Sequence, residues 1–304
     1  MLQDTFDPVP GVVHDLQPGL RRVLAPNPSP MTFTGTNTYI VGEESLAIID
    51  PGPDDMQHLF ALLAAVRDRP VTHIFVTHSH IDHSPLAVAV AEETGATIIG
   101  FGDRYAGQSK VMRQLSDAGL AGGGEGVDPH FRPDVTLTDG EAIAGQDWAI
   151  RAIHTPGHMG NHLCLAWRDA LFTGDLVMDW ASSLVSPPDG DLTDFLDSCR
   201  RLQGVDASVF YPGHGAPVTD PQARLKWLIE HREMRTQQIL NSLSAGPASV
   251  TALTLQIYDD TPETLLPAAS RNVFAHLVHL HENEAVVAHP TLSPNAQFTL
   301  TQVR

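Results

Sequence analysis

The chain has 304 residues, 42% of them hydrophobic, with 18 Lys or Arg against 36 Asp or Glu and a formal net charge of -18. That length supports a substantial core in one large domain, or one with a smaller appendage. It excludes a disordered or fibrous chain, and the acidic surface disfavours long-range attraction to nucleic acid or anionic membrane. Two cysteines, Cys164 and Cys199, are too few for a disulfide framework or a cysteine-based zinc site; with no apolar leader and no bilayer-length run, a soluble, cytoplasmic protein in a reducing compartment is expected.

Residues 31 to 49, up to Asp50, read as two strands around the turn-like GEES, stopped by Asp50-Pro51-Gly52-Pro53. DMQHLFALLAAVRD has helical spacing at Leu59, Leu62, Leu63 and Val66, and VTHIFVT is a strand. PLAVAVAEETG gives a second helix ended by Gly95, and ATIIGF another strand, an alternation of α/β type. From Gly102 to Asp134 the composition turns to Gly, Asp and short polar residues, with AGGGEG at 121 to 126 expected as a mobile loop. Strands recur at WAIRAIH, HLCLAW and ALFTG.

A second region, 221–304, follows the first, 1–220. QARLKWLIEHREMRTQQILNSL is a long helix with Leu225, Leu228 and Ile229 on one face. ASVTALTLQIY and PETLLPAASRNVFAHLVHLHENE supply two more, the last with Val273, Leu277 and Leu280 at helical spacing. AVVAH and QFTLTQ around PTLSPN then read as a hairpin, and three helices before a hairpin is the order of a winged helix.

The chemistry lies at strand ends. THSHIDHS at 77 to 84 sets His78, His80, Asp82 and His83 within six positions after an apolar strand, and His158 in HTPGH, Asp175 in LFTGD and His214 in YPGHG each follow an apolar run beside Gly157, Gly174 or Gly213. A glycine there lets the backbone turn so that the next side chain points across the strand end. His78, His80 and His158 would make one three-imidazole metal site; Asp82, His83 and His214 a second; Asp175 would bridge both. His73, His130, His154 and His162 are expected to be hydrogen-bonded packing residues. His276, His279 and His281, without a carboxylate around them, are expected at the surface or an interface. Asp50 in IIDPG either orients a ligand histidine or caps a turn.

In this order, IIDPG, THSHIDHS, HTPGH, LFTGD and PGHG resemble the metallo-beta-lactamase superfamily of hydrolases, over roughly residues 20 to 220. TGTNTYIVG and the appended helices and hairpin are similar to the beta-lactamase-like protein 2 branch, whose members carry a C-terminal winged-helix-like domain. The resemblance implies an α/β fold, a four-layer αβ/βα sandwich of two mixed sheets with metals in a cleft at one edge. The aspartate at 175 is similar to that of glyoxalase II, lactonases and phosphodiesterases of the fold rather than to two-zinc beta-lactamases, so penicillin hydrolysis is not expected. A mononuclear iron persulfide dioxygenase keeps some of these ligands, which leaves the metal open.

The expected function is a hydrolase with two divalent cations and a metal-bridging hydroxide acting on a small-molecule ester, thioester or lactone, with Asp82 as the proton carrier. Zinc suits imidazole and carboxylate donors, with iron or manganese as alternatives. Two other readings are a metal-dependent endoribonuclease and a non-catalytic winged-helix regulator. After Pro221 the chain carries 6 Lys or Arg against 7 Asp or Glu, which is not a nucleic-acid footprint. That domain is instead expected to pack through its last helix against the catalytic domain or a second copy of the chain, unless Val273, Leu277 and Leu280 form its own core.

Overall fold

The computed structural model describes residues 6–301 apart from 68 and 125. The expected helix end at Asp68, Glu125 of the glycine-rich loop and the strand end at Gln302 lie outside the described residues.

Residues 13 to 136 build the first sheet. Its strands are β1 (Val13–Gln17), β2 (Leu20–Leu24), β3 (Asn37–Val41), β4 (Leu46–Ile49), β5 (Val71–Phe75), β6 (Thr97–Gly100) and β7 (Val135–Thr136), lying side by side in sequence order. The pairs from β1 to β4 are antiparallel; those from β4 to β7 are parallel, joined by α1 (Met56–Val66), α2 (Leu86–Thr94) and a longer crossover holding α3 (Lys110–Asp117). The second sheet takes β8 (Ala142–Ala144), β9 (Ala149–His154), β10 (Leu163–Trp167), β11 (Ala170–Gly174) and β12 (Val209–Pro212), the last two parallel across α4 (Leu192–Leu202).

Period-two alternation assigns the faces. Tyr39, Val41, Ala47 and Ile49 meet Ile150, Leu163, Leu165 and Phe172 of the second sheet, whereas Ile40 and Ile48 point the other way onto Leu59, Leu62 and Val66 of α1. The outer face of the second sheet, Cys164, Leu171 and Phe210, is covered by Leu192, Phe195, Leu196, Cys199 and Leu202 of α4. The result is helix, sheet, sheet, helix. Asp191 caps α4 by accepting from Thr193 N at 2.8 Å, and Arg200 and Arg201 sit in its last turn, where the helix dipole favours cations. Each large apolar side chain buried this way contributes about 1.5–3 kcal/mol. Cys164 and Cys199 are buried free thiols, pushed up to about 12 by burial.

The C-terminal part contains α5 (Pro221–Leu243), β13 (Ala248–Ser249), α6 (Val250–Ile257), α7 (Leu266–Glu282), β14 (Val286–His289) and β15 (Gln297–Leu300), with the three strands forming a small sheet in the order β13-β15-β14. Val273, Leu277 and Leu280 turn into this unit's own core with Leu253, Ile257 and Phe298; the two-sheet part joins that core through Val111, Met112 and Leu115 of α3. α5 divides its loyalties: Leu225 and Leu228 sit in the outer core of the second sheet, Ile239 and Leu243 in the C-terminal core.

Several features depart from expectation. β1 and β2 precede the first expected strand, α3 rises from the segment expected as loop, and α4 follows the SPPDGD turn. His276 is 1% exposed and bonded to Thr236 Oγ1 at 2.8 Å, so a surface position is wrong for it: α7 packs that face against α5. His279 and His281 are half-buried, and His130 is exposed rather than a packing residue. His73, His154 and His162 do make packing hydrogen bonds, to Thr72 Oγ1, Gly160 O and Thr155 Oγ1.

Candidate metal centre

One end of the sandwich gathers residues that follow five strands. Asp50 follows β4; His78, His80, Asp82 and His83 follow β5; His158 lies in the β9–β10 loop; Asp175 follows β11; His214 follows β12. All eight are buried. His78, His80 and His158 form one group, and Asp82, His83, Asp175 and His214 another, the ligand-type atoms in each lying within 4.8 Å of one another. Asp175 faces both groups: its Oδ2 lies 3.2 Å from His214 Nε2 and 3.7 Å from His158 Nε2, and its Oδ1 lies 3.4 Å from His83 Nε2.

The outer partners fix which ring nitrogen is free. His158 Nδ1 donates to Leu184 O at 2.7 Å and His214 Nδ1 to Gly35 O at 3.1 Å, since a carbonyl only accepts. His83 Nδ1 donates to Asp50 Oδ2 at 2.9 Å. Thr77 Oγ1 gives its one hydrogen to Asp50 Oδ2 at 2.8 Å, so His78 Nδ1 donates to Thr77 Oγ1 at 3.0 Å. Each of these four rings therefore turns its Nε2 inward. His80 is the exception, presenting Nδ1 at 2.9 Å from His78 Nε2 and 3.0 Å from His158 Nε2.

This donor set fits cations. His80 Nδ1 can give a hydrogen to only one of the two lone pairs facing it, and among the described residues Asp175 Oδ1 has no closer partner than His83 Nε2 at 3.4 Å. Burial, reinforced by neighbouring rings, keeps His78 well below the usual imidazole range and His80 at about 3, so both stay neutral donors. Burial also lowers His158. In the other group burial opposes charge on His83 and His214, but Asp82 and Asp175 outweigh it, holding His83 well above its usual value and His214 at about 10. The same negative field favours a metal cation in place of those protons.

Backbone geometry supports the cluster. Gly157 and Gly174 take positive φ of 141° and 45°, the sharp turns expected of them. Gly213 does not; there a Cβ would lie 2.5 Å from Asp175 Oδ1 and 2.6 Å from His83 Cε1, so absence of a side chain is what matters. Sequence reasoning passed over Asn37, whose Nδ2 donates to Pro212 O at 3.1 Å and Gly215 O at 3.0 Å, clamping the turn that carries His214. It also passed over Thr77, Gly35 and Leu184. Thr77 stands beside the first histidine and is legible as a partner; the two carbonyls leave no side-chain signal.

Two mixed sheets with covering helices and two buried His/Asp groups at one edge define a scaffold with two candidate metal sites. Residues 31–214 match the model of the metallo-beta-lactamase superfamily, and 249–291 that of the beta-lactamase associated winged helix domain; the chain belongs to the metallo-beta-lactamase superfamily. It is similar to the beta-lactamase-like protein 2 homolog of Drosophila melanogaster, 30% identical over 277 residues that cover 86% of this chain and 87% of that one. It is also 30% identical over 236 residues to a protein of Aspergillus fumigatus named atrochrysone carboxyl ACP thioesterase, covering 75% of this chain and 66% of that one. Among solved structures, a metallo-beta-lactamase family protein from Thermus thermophilus superposes with a TM-score of 0.75 at 26% identity, over 94% of this chain and all of that one. Among the described residues no helix is long and apolar enough to cross a membrane.

Proposed function

We propose that the chain is a two-metal hydrolase of a small ester, thioester or lactone with an apolar acyl part. The observation that carries this reading is the cavity above the His/Asp groups, about 240 Å³, floored by His80, Asp82, His158, Asp175 and His214. Its walls are mostly apolar, with Met31, Met178, Trp180, Leu184, Tyr258 and Leu265, and no Lys or Arg lines it among the described residues. An apolar chamber with a few convergent polar groups suits an acyl group, whereas an RNA backbone calls for cationic walls. The thioester-cleaving name of the Aspergillus relative supports the same class.

His78, His80 and His158 would hold one cation, and Asp82, His83 and His214 the other, with Asp175 between. When bound, two divalent cations, zinc first by donor chemistry, supply Lewis acidity toward an acyl carbonyl and acidify water. Asp82, on the cavity floor, takes the proton of the attacking water and passes it to the departing sulfur or oxygen as the acyl bond breaks. Asp50 holds His83 by its outer nitrogen. The proposed division at Pro221 gives the C-terminal unit the wall built by Tyr258, Leu265 and Ala269, opposite the catalytic floor. Elemental analysis should find two metals per chain, and the zinc-loaded protein should cleave apolar thioesters or esters from a panel that includes lactones and RNA. Turnover of RNA alone would reverse the substrate assignment.

A further inference from the structure

The C-terminal unit reaches the metal-facing His158 through an intervening stretch of backbone. His158 depends on Leu184 O to fix its ring, and Leu184 lies in a segment without regular structure between β11 and α4. Residues of the C-terminal unit hold both sides of Leu184. Asn272 Oδ1 on α7 accepts from Val185 N at 3.1 Å, and Arg232 on α5 donates through Nη2 to Ser183 O. Arg232 Nη1 also donates to Asn272 Oδ1 at 3.0 Å, so one amide oxygen ties the arginine to the segment. The far end of the segment is anchored too: Asp191 N donates to Gly157 O at 2.8 Å, beside His158 itself.

Arg232 is otherwise hard to explain. It is 1% exposed, and among the described residues its Nε has no partner and no carboxylate pairs with it; its guanidinium carbon lies 5.3 Å from the centroid of the Phe195 ring. Burying an unpaired guanidinium is costly, and an apolar residue would fill an α5 core position more favourably. What the guanidinium provides is a fork that joins a carbonyl on one stretch of chain to an amide on another.

We propose that Arg232 and Asn272 are positioning residues for His158, acting through the Ser183–Val185 backbone. The winged-helix unit thereby sets the affinity of the three-histidine metal site. This rests on the two-metal reading above. A carbonyl displaced from Nδ1 leaves the ring free to rotate and to carry its hydrogen on Nε2, the nitrogen that faces His80.

The test uses the full chain loaded with Co²⁺ and titrated against a competing chelator, with thermal melts run beside it. The parent should show two binding steps. Asn272→Ala and Arg232→Met should weaken one step by about 10–100-fold and shift the visible absorption of Co²⁺ in that site, leaving the other step unchanged. Asn272→Asp keeps the acceptor oxygen and should bind like the parent. Should Arg232→Met fail to fold, Asn272→Ala decides. Unchanged steps in Asn272→Ala, or equal weakening of both, would overturn this inference and leave the two-metal reading standing. A parent that bound fewer than two Co²⁺ would overturn both.

Discussion

His80 in the catalytic half and His276 in α7 are both buried imidazoles held neutral by burial, and each has an Nε2 without a partner. Their surroundings separate them. His80 faces two more ring nitrogens with Asp82 and Asp175 close by, whereas His276 has Thr236 on one side and the charge of Arg232 nearby, which lowers its pKa further. Burial makes an imidazole a neutral donor; convergence with carboxylates makes it a candidate ligand, and a neighbouring cation repels metal.

The sharpest way to break this contrast is at the cavity floor. Asp82→Ala should lower kcat by about 10²–10⁴-fold even with metal in excess, because it removes both a proposed ligand and the proposed proton carrier. His276→Ala should turn over at the parent rate. Near-normal kcat in Asp82→Ala would dissolve the distinction.

A smaller effect is expected on stability. Two cations, each supplied at about a hundred times its Kd, would stabilise the folded chain by about 5 kcal/mol in total, since each would contribute about 2.7. Chelation should lower the melting temperature of the parent and of His276→Ala equally, and that of His80→Ala less. A chelator response that vanished in His276→Ala would place metal in the wrong half.

The smallest effect concerns pH. The folded pKa of His276 is well below its usual value through burial, then through Arg232. As pH falls below about 6.5 the unfolded chain takes up a proton that the folded chain refuses, so stability falls with acidity and recovers as pH rises. The slope approaches about 1.4 kcal/mol per pH unit for one proton. Comparing the unfolding of the chelated parent with that of chelated His276→Leu between about pH 5 and about pH 7 isolates this contribution, and equal slopes would show that His276 takes up its proton as readily in the fold as in the unfolded chain.

The strand-end glycines and the dense histidine spacing make the floor of the site legible in the sequence, because ligand-type residues at four strand ends have no independent packing explanation. His276 falls three residues after Val273 and four before Leu280, on the face that α7 buries, yet its place in a series with His279 and His281, which are only half-buried, obscures that spacing. α4 has the same kind of signal, Leu192, Phe195, Leu196 and Cys199 behind an Asp cap, hidden behind a proline and glycine turn. β2 gives little to read, since LRRVL is buried throughout and its arginines break any alternation. Arg232 and Asn272 are not legible at all: their partners are backbone atoms 49 and 87 residues away, which only the folded chain brings to them.

α5 spans 23 residues, about 35 Å of continuous helix, with one end in each core. Such a rod couples the melting of the two units. Neither can lose its packing without stripping apolar cover from the other, so calorimetry should record one cooperative transition rather than two, and amides along the middle of α5 should exchange with solvent as slowly as those of the central strands. A clamshell motion about that helix would have to break the packing at one of its two ends.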